Sequence, residues 1–294
     1  MIRTESLNKH YGEKPVLQGV NLQVRAGEIF GFVGPNGAGK TTFFKCLLGI
    51  VRPTSGAIEI GGQDAIGQPL LARQRCAYAP GETALYEQQT GLGFLKFALS
   101  FHSNSDTTQG LHLLEEFRLP LHQKVREYSH GMRRKLLLAQ AIASNADVLL
   151  LDEPMEGLDP EARRRVEEIL QKEARSGKTV FYSSHDLASV ERICDRVAFL
   201  DQGKILKCAP ISEVLAKTAR AIQLFFDREM TMEELPHADG FQWTGGQARW
   251  TLHYEGPLVD AISVVSGLPV LSIRDSSASL EEVFAVLYTK EGQG

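Results

Sequence analysis

The stretch "GPNGAGKTT", Gly34 to Thr42, packs three glycines, a lysine and two hydroxyl residues into nine positions. Glycines let a backbone curl so that several N–H groups converge on one anion, and a helix starting there adds its own free N–H groups. The spacing fits G-x-x-x-x-G-K-[ST] and lies between the apolar run "IFGFVG" and a helical pattern, the strand–loop–helix setting that a P-loop requires. This reading assigns the backbone of Gly34, Pro35, Asn36, Gly37, Ala38 and Gly39 to nucleotide phosphates, with Lys40 reaching the β and γ groups. The Thr41 hydroxyl is expected on Mg²⁺, and Thr42 adds a phosphate contact. A second chemical signal is "VLLLDEP", residues 148–154, an apolar strand ending in two carboxylates. Asp152 is expected beside the Mg²⁺ and Glu153 where a base could polarise an attacking water.

These residues need a scaffold, and the chain has material for one: 43% of its 294 residues are hydrophobic and 23% charged. A net charge of −4 argues against wholesale nucleic-acid binding. The four cysteines form no C-x-x-C pair and read as reduced thiols of a cytosolic protein. The N-terminus shows no apolar signal region, and no apolar run is long enough to cross a bilayer, so any membrane role is expected through a partner.

Short strand-like runs fill residues 1–62, and "KTTFFKCLLG" predicts a helix stopped by Gly49. Residues from about 88 to 145 turn helical; apolar strands then return as "DVLLL", "TVFYSS" and "RVAFL", separated by helices. Fully apolar strands alternating with helices predict an α/β fold with a mostly parallel, mixed sheet and an inserted helical subdomain. Residues 1–215 form the expected nucleotide-binding domain and 216–294 a small α+β domain. In the latter, "FQWTGGQARWTLHY" predicts two strands around a Gly-Gly turn, and "SLEEVFAVLY" a helix capped by Ser279 and Glu282. Trp243, Trp250, Tyr254, Phe284 and Leu287 are its expected core.

The order P-loop, "YSHGMRRK", "LLLDEP", "GLDP" and "SSH" resembles the nucleotide-binding subunit of an ABC transporter over about residues 1–210. The resemblance implies an ATPase working as a head-to-tail dimer, with two ATP molecules held between subunits. It implies that Ser129 and Gly131, at a helix start, meet the γ-phosphate held by the opposite subunit. It also implies that Tyr11 stacks on adenine, that Asp159 communicates across the dimer and that His185 contacts the γ-phosphate. Lys40, Glu153 and His185 are then the expected catalytic set. Arg133, Arg134 and Lys135 are expected to form a solvated or dimer-facing basic face rather than a nucleic-acid site.

Three positions depart from the family pattern. Gly81 stands where glutamine is usual, so either Glu82 substitutes with an acid or the sensing role of that loop is weakened. His130 replaces a glycine, and Met155-Glu156 open the loop before Asp159. "S-x-G-M" and the tail "SLEEVF" are similar to ATPases of bacterial drug-resistance and antibiotic exporters. That likeness implies a separate membrane permease and a peripheral place on the cytoplasmic face of the bacterial inner membrane. Two alternatives are a regulatory subunit that binds nucleotide with little hydrolysis, and a soluble ABC ATPase outside transport.

Overall fold

Alternation in the first sixty residues builds one antiparallel sheet. Strands β1 (Ile2–Tyr11) and β2 (Lys14–Val24) form a hairpin with Ile2 opposite Val24 and Tyr11 opposite Lys14. On the other side of β1 lie β4 (Ser55–Ile60) and β5 (Gln63–Asp64), giving the order β2-β1-β4-β5. The sequence pattern alone did not separate this sheet from the central one. The computed structural model describes residues 1–82, 85–216, 220–254, 256–275, 279–281 and 283–284.

The central sheet follows from runs in which alternation disappears. Every residue of β3 (Ile29–Val33), β7 (Val148–Asp152) and β8 (Thr179–Ser184) is buried, the signature of strands covered on both faces. With β6 (Cys76–Ala79), β9 (Arg196–Asp201) and β10 (Lys204–Pro210), the order is β10-β9-β3-β8-β7-β6. Five of these strands run parallel, and β10 pairs antiparallel with β9 at one edge, so the sheet is mixed. Helix α1 (Lys40–Leu47) packs its Phe43 and Phe44 against Phe32 of β3 and Phe181 of β8; Phe44 and Phe181 meet edge to face at 4.9 Å. Such pairs add about 1 kcal/mol each beyond their buried area. The P-loop is thereby anchored to the centre of the core.

Helix α2 (Pro69–Gln74) precedes β6, and the segment between β6 and β7 carries α3 (Gly91–Leu99), α4 (Thr107–Glu116) and α5 (His130–Ala143). Thr90, Asp106 and Ser129 cap them, each side chain accepting the N–H three residues on. Helices α6 (Pro160–Arg175) and α7 (Leu187–Ile193) start on Asp159 and Asp186 in the same manner.

The chain divides into two compact units, Met1–Pro210 and Ile211–Gly294. The second contains α8 (Ile211–Ala216), β11 (Arg220–Phe226), β12 (Phe241–Gly246), β13 (Arg249–Tyr254), α9 (Leu258–Val265) and β14 (Val270–Asp275). Its antiparallel sheet has the order β12-β13-β11-β14 and buries Trp243, Trp250, Leu252 and Tyr254 with Ala261 and Val265 of α9. The hairpin turn is not Gly-Gly. Thr244 pairs with Thr251 and Gly246 with Arg249, which leaves Gln247 and Ala248 as the turn. Gly245 lies inside β12 at φ 130°, where a Cβ would come within 2.6 Å of the Arg249 carbonyl oxygen. Ser279 accepts the Val283 N–H at 3.3 Å through its carbonyl, and Phe284 is half-buried. Glu282 and Leu287 lie outside the described residues.

Cys46, Cys76 and Cys194 are buried and Cys208 is exposed. Burial pushes the Cys46 thiol up to about 11 and that of Cys76 up to about 12, so both stay protonated at neutral pH. A maleimide applied to the native chain is therefore expected to label Cys208 first, and all four thiols only after denaturation. Intact-mass spectra over time check this; equal rates at Cys46 and Cys208 would contradict the packing around α1.

Candidate active site

Because β3, β8 and β7 are neighbours in parallel register, their C-terminal ends bring together three stretches far apart in sequence. Val33 lies opposite Ser184, and Asp152 opposite Ser183. The P-loop, the Asp152-Glu153 pair and His185 emerge at one end of the sheet, the usual ligand-binding edge of an open α/β fold.

The loop after β3 depends on its glycines. A Cβ on Gly34 would fall 2.3 Å from the Leu200 carbonyl oxygen, and Gly37 and Gly39 adopt φ of 85° and 112°. Lys40 opens α1 with its side chain buried. Its Nζ donates to the Gly34 carbonyl at 2.6 Å and the Pro35 carbonyl at 3.3 Å. It also lies 3.3 Å from Glu153 Oε1, an ion-pair distance lacking the angle of a hydrogen bond.

Two linked chains of contact make up the centre. In the first, Thr41 Oγ1 donates to Asp152 Oδ2 at 2.6 Å, and Ser183 Oγ donates to Asp152 Oδ1. Ser183 Oγ in turn accepts the Glu153 N–H at 3.0 Å. In the second, His185 Nδ1 lies 2.9 Å from Glu153 Oε2, and Lys40 lies on the other carboxylate oxygen. Glu153 has φ 50°, in the left-handed region that a glutamate rarely occupies. Ser183 was not singled out from the sequence: it stands inside the quoted "SSH", but its register with Asp152 emerges only when β7 and β8 pair.

The donor set fits a small hard cation and a polyphosphate. A threonine hydroxyl and one carboxylate are the few oxygen ligands that Mg²⁺ takes from protein when phosphates and water complete its shell. A buried ammonium, a curled run of backbone N–H groups and a helix start suit phosphate.

A second group gathers at the start of α5. Ser129 Oγ accepts the Met132 N–H at 3.2 Å, and Gly131 allows a close approach: a Cβ there would lie 2.8 Å from the Gly157 carbonyl oxygen. Gly157, at φ 72°, carries no side chain where one would strike the His130 ring. Asp159 Oδ1 accepts the Ala162 N–H at 2.8 Å, and that bond, followed by the nearby Lys135, holds its carboxyl below the usual range. A folded pKa depressed in this way stabilises above the unfolded value, and the contribution fades as pH falls through the folded one.

Of the basic run expected on a solvated or dimer-facing face, Arg134 instead turns inward, while Arg133 and Lys135 stay partly exposed. Arg134 is fully buried, Arg133 donates to the Tyr128 and Arg126 carbonyls and pairs with Glu87 at 3.2 Å, and Lys135 pairs with Asp159 at 3.6 Å. Three consecutive residues sweep about 200° of a helix, and on α5 the middle one, Arg134, is the one turned inward. Gly81 lies close to the carboxylate pair, where a Cβ would stand 3.3 Å from Asp152 Oδ2; Glu82 is exposed. Tyr11 ends β1 with 48% of its surface open and Lys9 Nζ 4.8 Å above its ring. On the helical segment, Tyr86, Phe97 and Phe101 form an exposed ladder with ring centroids 5.2 and 5.0 Å apart.

The mostly parallel sheet, its P-loop and the acid-ended β7 define a P-loop ATPase cassette. A family model described as ABC transporter matches residues 17–156, and the chain belongs to the ATP-binding proteins of ABC transporters. An uncharacterized ABC transporter ATP-binding protein of Nostoc sp. is 39% identical over 232 residues, covering 73% of this chain and 68% of that protein. Nod factor export ATP-binding protein I of Burkholderia thailandensis is 33% identical over 298 residues, covering 98% of this chain and 97% of that protein. A solved ATP-binding subunit of an ABC transporter superposes with a TM-score of 0.69 at 30% identity, covering 73% of this chain and 91% of that one. Among the described residues no helix is long and apolar enough to cross a membrane.

Proposed function

We propose that the chain is the ATP-hydrolysing subunit of an ABC exporter, driving a separate membrane permease from the cytoplasmic side. The observation that carries this reading is the continuous set Lys40–Glu153–His185 and Thr41–Asp152–Ser183. Export is supported by relatives whose names state it.

In this reading the P-loop backbone from Gly34 to Gly39, Lys40 and Thr42 bind the phosphates, and Tyr11 stacks on adenine through its open face. Thr41 and Asp152 would hold Mg²⁺, which would supply charge neutralisation at the phosphates. Glu153 orients water for in-line attack, and His185 steadies the carboxylate and reaches toward the γ-phosphate. Such catalysis is positioning and electrostatics. Ser129 and Gly131 offer their helix start to the nucleotide of a second copy in a head-to-tail dimer, with Asp159 near the same junction. The Tyr86-Phe97-Phe101 ladder suits an apolar helix of the permease, because exposed aromatics packed edge to face form a preorganised apolar platform. A second reading, a subunit that binds nucleotide but turns it over slowly, draws on Gly81.

Residues 1–210 carry every one of these groups, so we assign the chemistry to that unit and dimer stabilisation to the second. Phosphate release per subunit is expected to rise with protein concentration for the full chain. A chain ending at Pro210 should hydrolyse ATP too, with half-maximal activity at higher concentration. Constant release per subunit in both would count against the dimer; negligible release with intact binding would favour the slow reading. A folded truncation without nucleotide binding would overturn the division of labour.

A further inference from the structure

Arg134 is an expensive residue to bury. A guanidinium removed from water must recover several kcal/mol of lost hydration through its partners. Its partners are all carbonyls and acids of the active-site edge: Nη1 donates to the Pro80 carbonyl at 2.6 Å and reaches the Asp152 carbonyl at 3.4 Å. Nη2 donates to the Gly81 carbonyl and lies 3.6 Å from Glu156 Oε2. Burial draws its pKa down from the ordinary guanidinium value, while Glu156, Asp152 and Glu153 push it back up.

One planar fork therefore ties the loop after β6, the end of β7 and the loop leading to Asp159 to a residue only five positions after Ser129. The tie matters because of what Gly81 touches. Its Cα is so close to Asp152 that even a methyl group would crowd Oδ2, the oxygen holding Thr41. We infer that Arg134 is a positioning residue: by gripping the Pro80 and Gly81 carbonyls it fixes the backbone wall against which Asp152 is aimed at the Mg²⁺ site. Gly81 then serves as a thin wall, and the link from α5 to the metal carboxylate runs through main chain instead of a glutamine side chain. This rests on the proposed metal role of Asp152.

The test uses the full chain, with a fluorescent ATP analogue titrated in EDTA and again in Mg²⁺, and with thermal unfolding recorded in parallel. Arg134→Lys keeps the charge but loses the fork. Gly81→Ala pushes on Oδ2 from the wall side and removes no buried charge; its backbone is outside the left-handed region, so alanine is allowed there. Asp152→Asn is the control. Affinity in EDTA should stay within about threefold of the parent in Arg134→Lys and Gly81→Ala, since Lys40 and the P-loop are untouched. The gain in affinity on adding Mg²⁺ should shrink about tenfold in Arg134→Lys and in Gly81→Ala, the scale of one misaligned charge-assisted contact. A parental Mg²⁺ gain in Gly81→Ala, or in Arg134→Lys that merely unfolds at lower temperature, would show a purely structural arginine and overturn the inference. A parental gain in Asp152→Asn would instead remove the metal assignment, and the inference with it. Should Arg134→Lys fail to fold, a parental Mg²⁺ gain in Gly81→Ala still overturns the inference.

Discussion

Glu153→Gln binds ATP about as tightly as the parent chain but releases phosphate roughly 100- to 10,000-fold more slowly, the range spanned by loss of a general base. The substitution is nearly isosteric, so the contact with His185 Nδ1 at 2.9 Å survives in shape. What goes is the negative charge facing Lys40 and the capacity to accept a proton from water. Phosphate binding draws on the P-loop backbone and Lys40, and neither changes. The slowed variant should also accumulate an ATP-bound dimer. Pre-steady-state phosphate release alongside an ATP titration checks the first claim, and sizing chromatography with MgATP checks the second. Turnover within a few-fold of the parent would remove Glu153 from the chemistry.

Lys40→Ala weakens MgATP binding by about a hundredfold or more, as expected when a buried charge-assisted contact to phosphate is deleted. The variant should still fold. Alanine is the best helix former at the opening of α1, and the Gly34 and Pro35 carbonyls released from Nζ border an exposed loop that water can reach. The Thr41–Asp152 bond is independent of the lysine. Calorimetric titration of MgATP, with a melting curve to certify folding, measures the loss. Binding within a few-fold of the parent would mean that the loop from Gly34 to Gly39 does not cradle phosphate.

Much of this geometry could be read before any coordinates because it depends on short-range patterns. "GPNGAGKTT" requires a particular backbone curl, and fully apolar strands require a covered sheet whose ends collect their flanking residues. Arg134 was misread because charge and helical period show that one of three basic residues turns inward but not which carbonyls wait there. Those belong to Pro80 and Asp152, far away in sequence. The second hairpin was misplaced by one dipeptide for a related reason. Gly-Gly is the stronger local turn signal, but Trp243, Trp250, Leu252 and Tyr254 must share a buried face, and that register moves the turn to Gln247-Ala248. The antiparallel sheet of β1, β2, β4 and β5 was legible as strands but not as a separate layer, since pairing is a long-range property.

The left-handed backbone at Glu153 has a consequence for laboratory evolution. A residue with a Cβ pays about 1–2 kcal/mol in that conformation, whereas glycine pays none. In the proposed mechanism glutamate is kept there for its carboxylate, which stands between Lys40 and His185, and not by any preference of the backbone. A library screened only for heat resistance would thus be drawn toward glycine at 153, enriching sturdy proteins that have lost their turnover. Any stabilising campaign on this cassette has to select for phosphate release in the same round, or hold residue 153 fixed from the start.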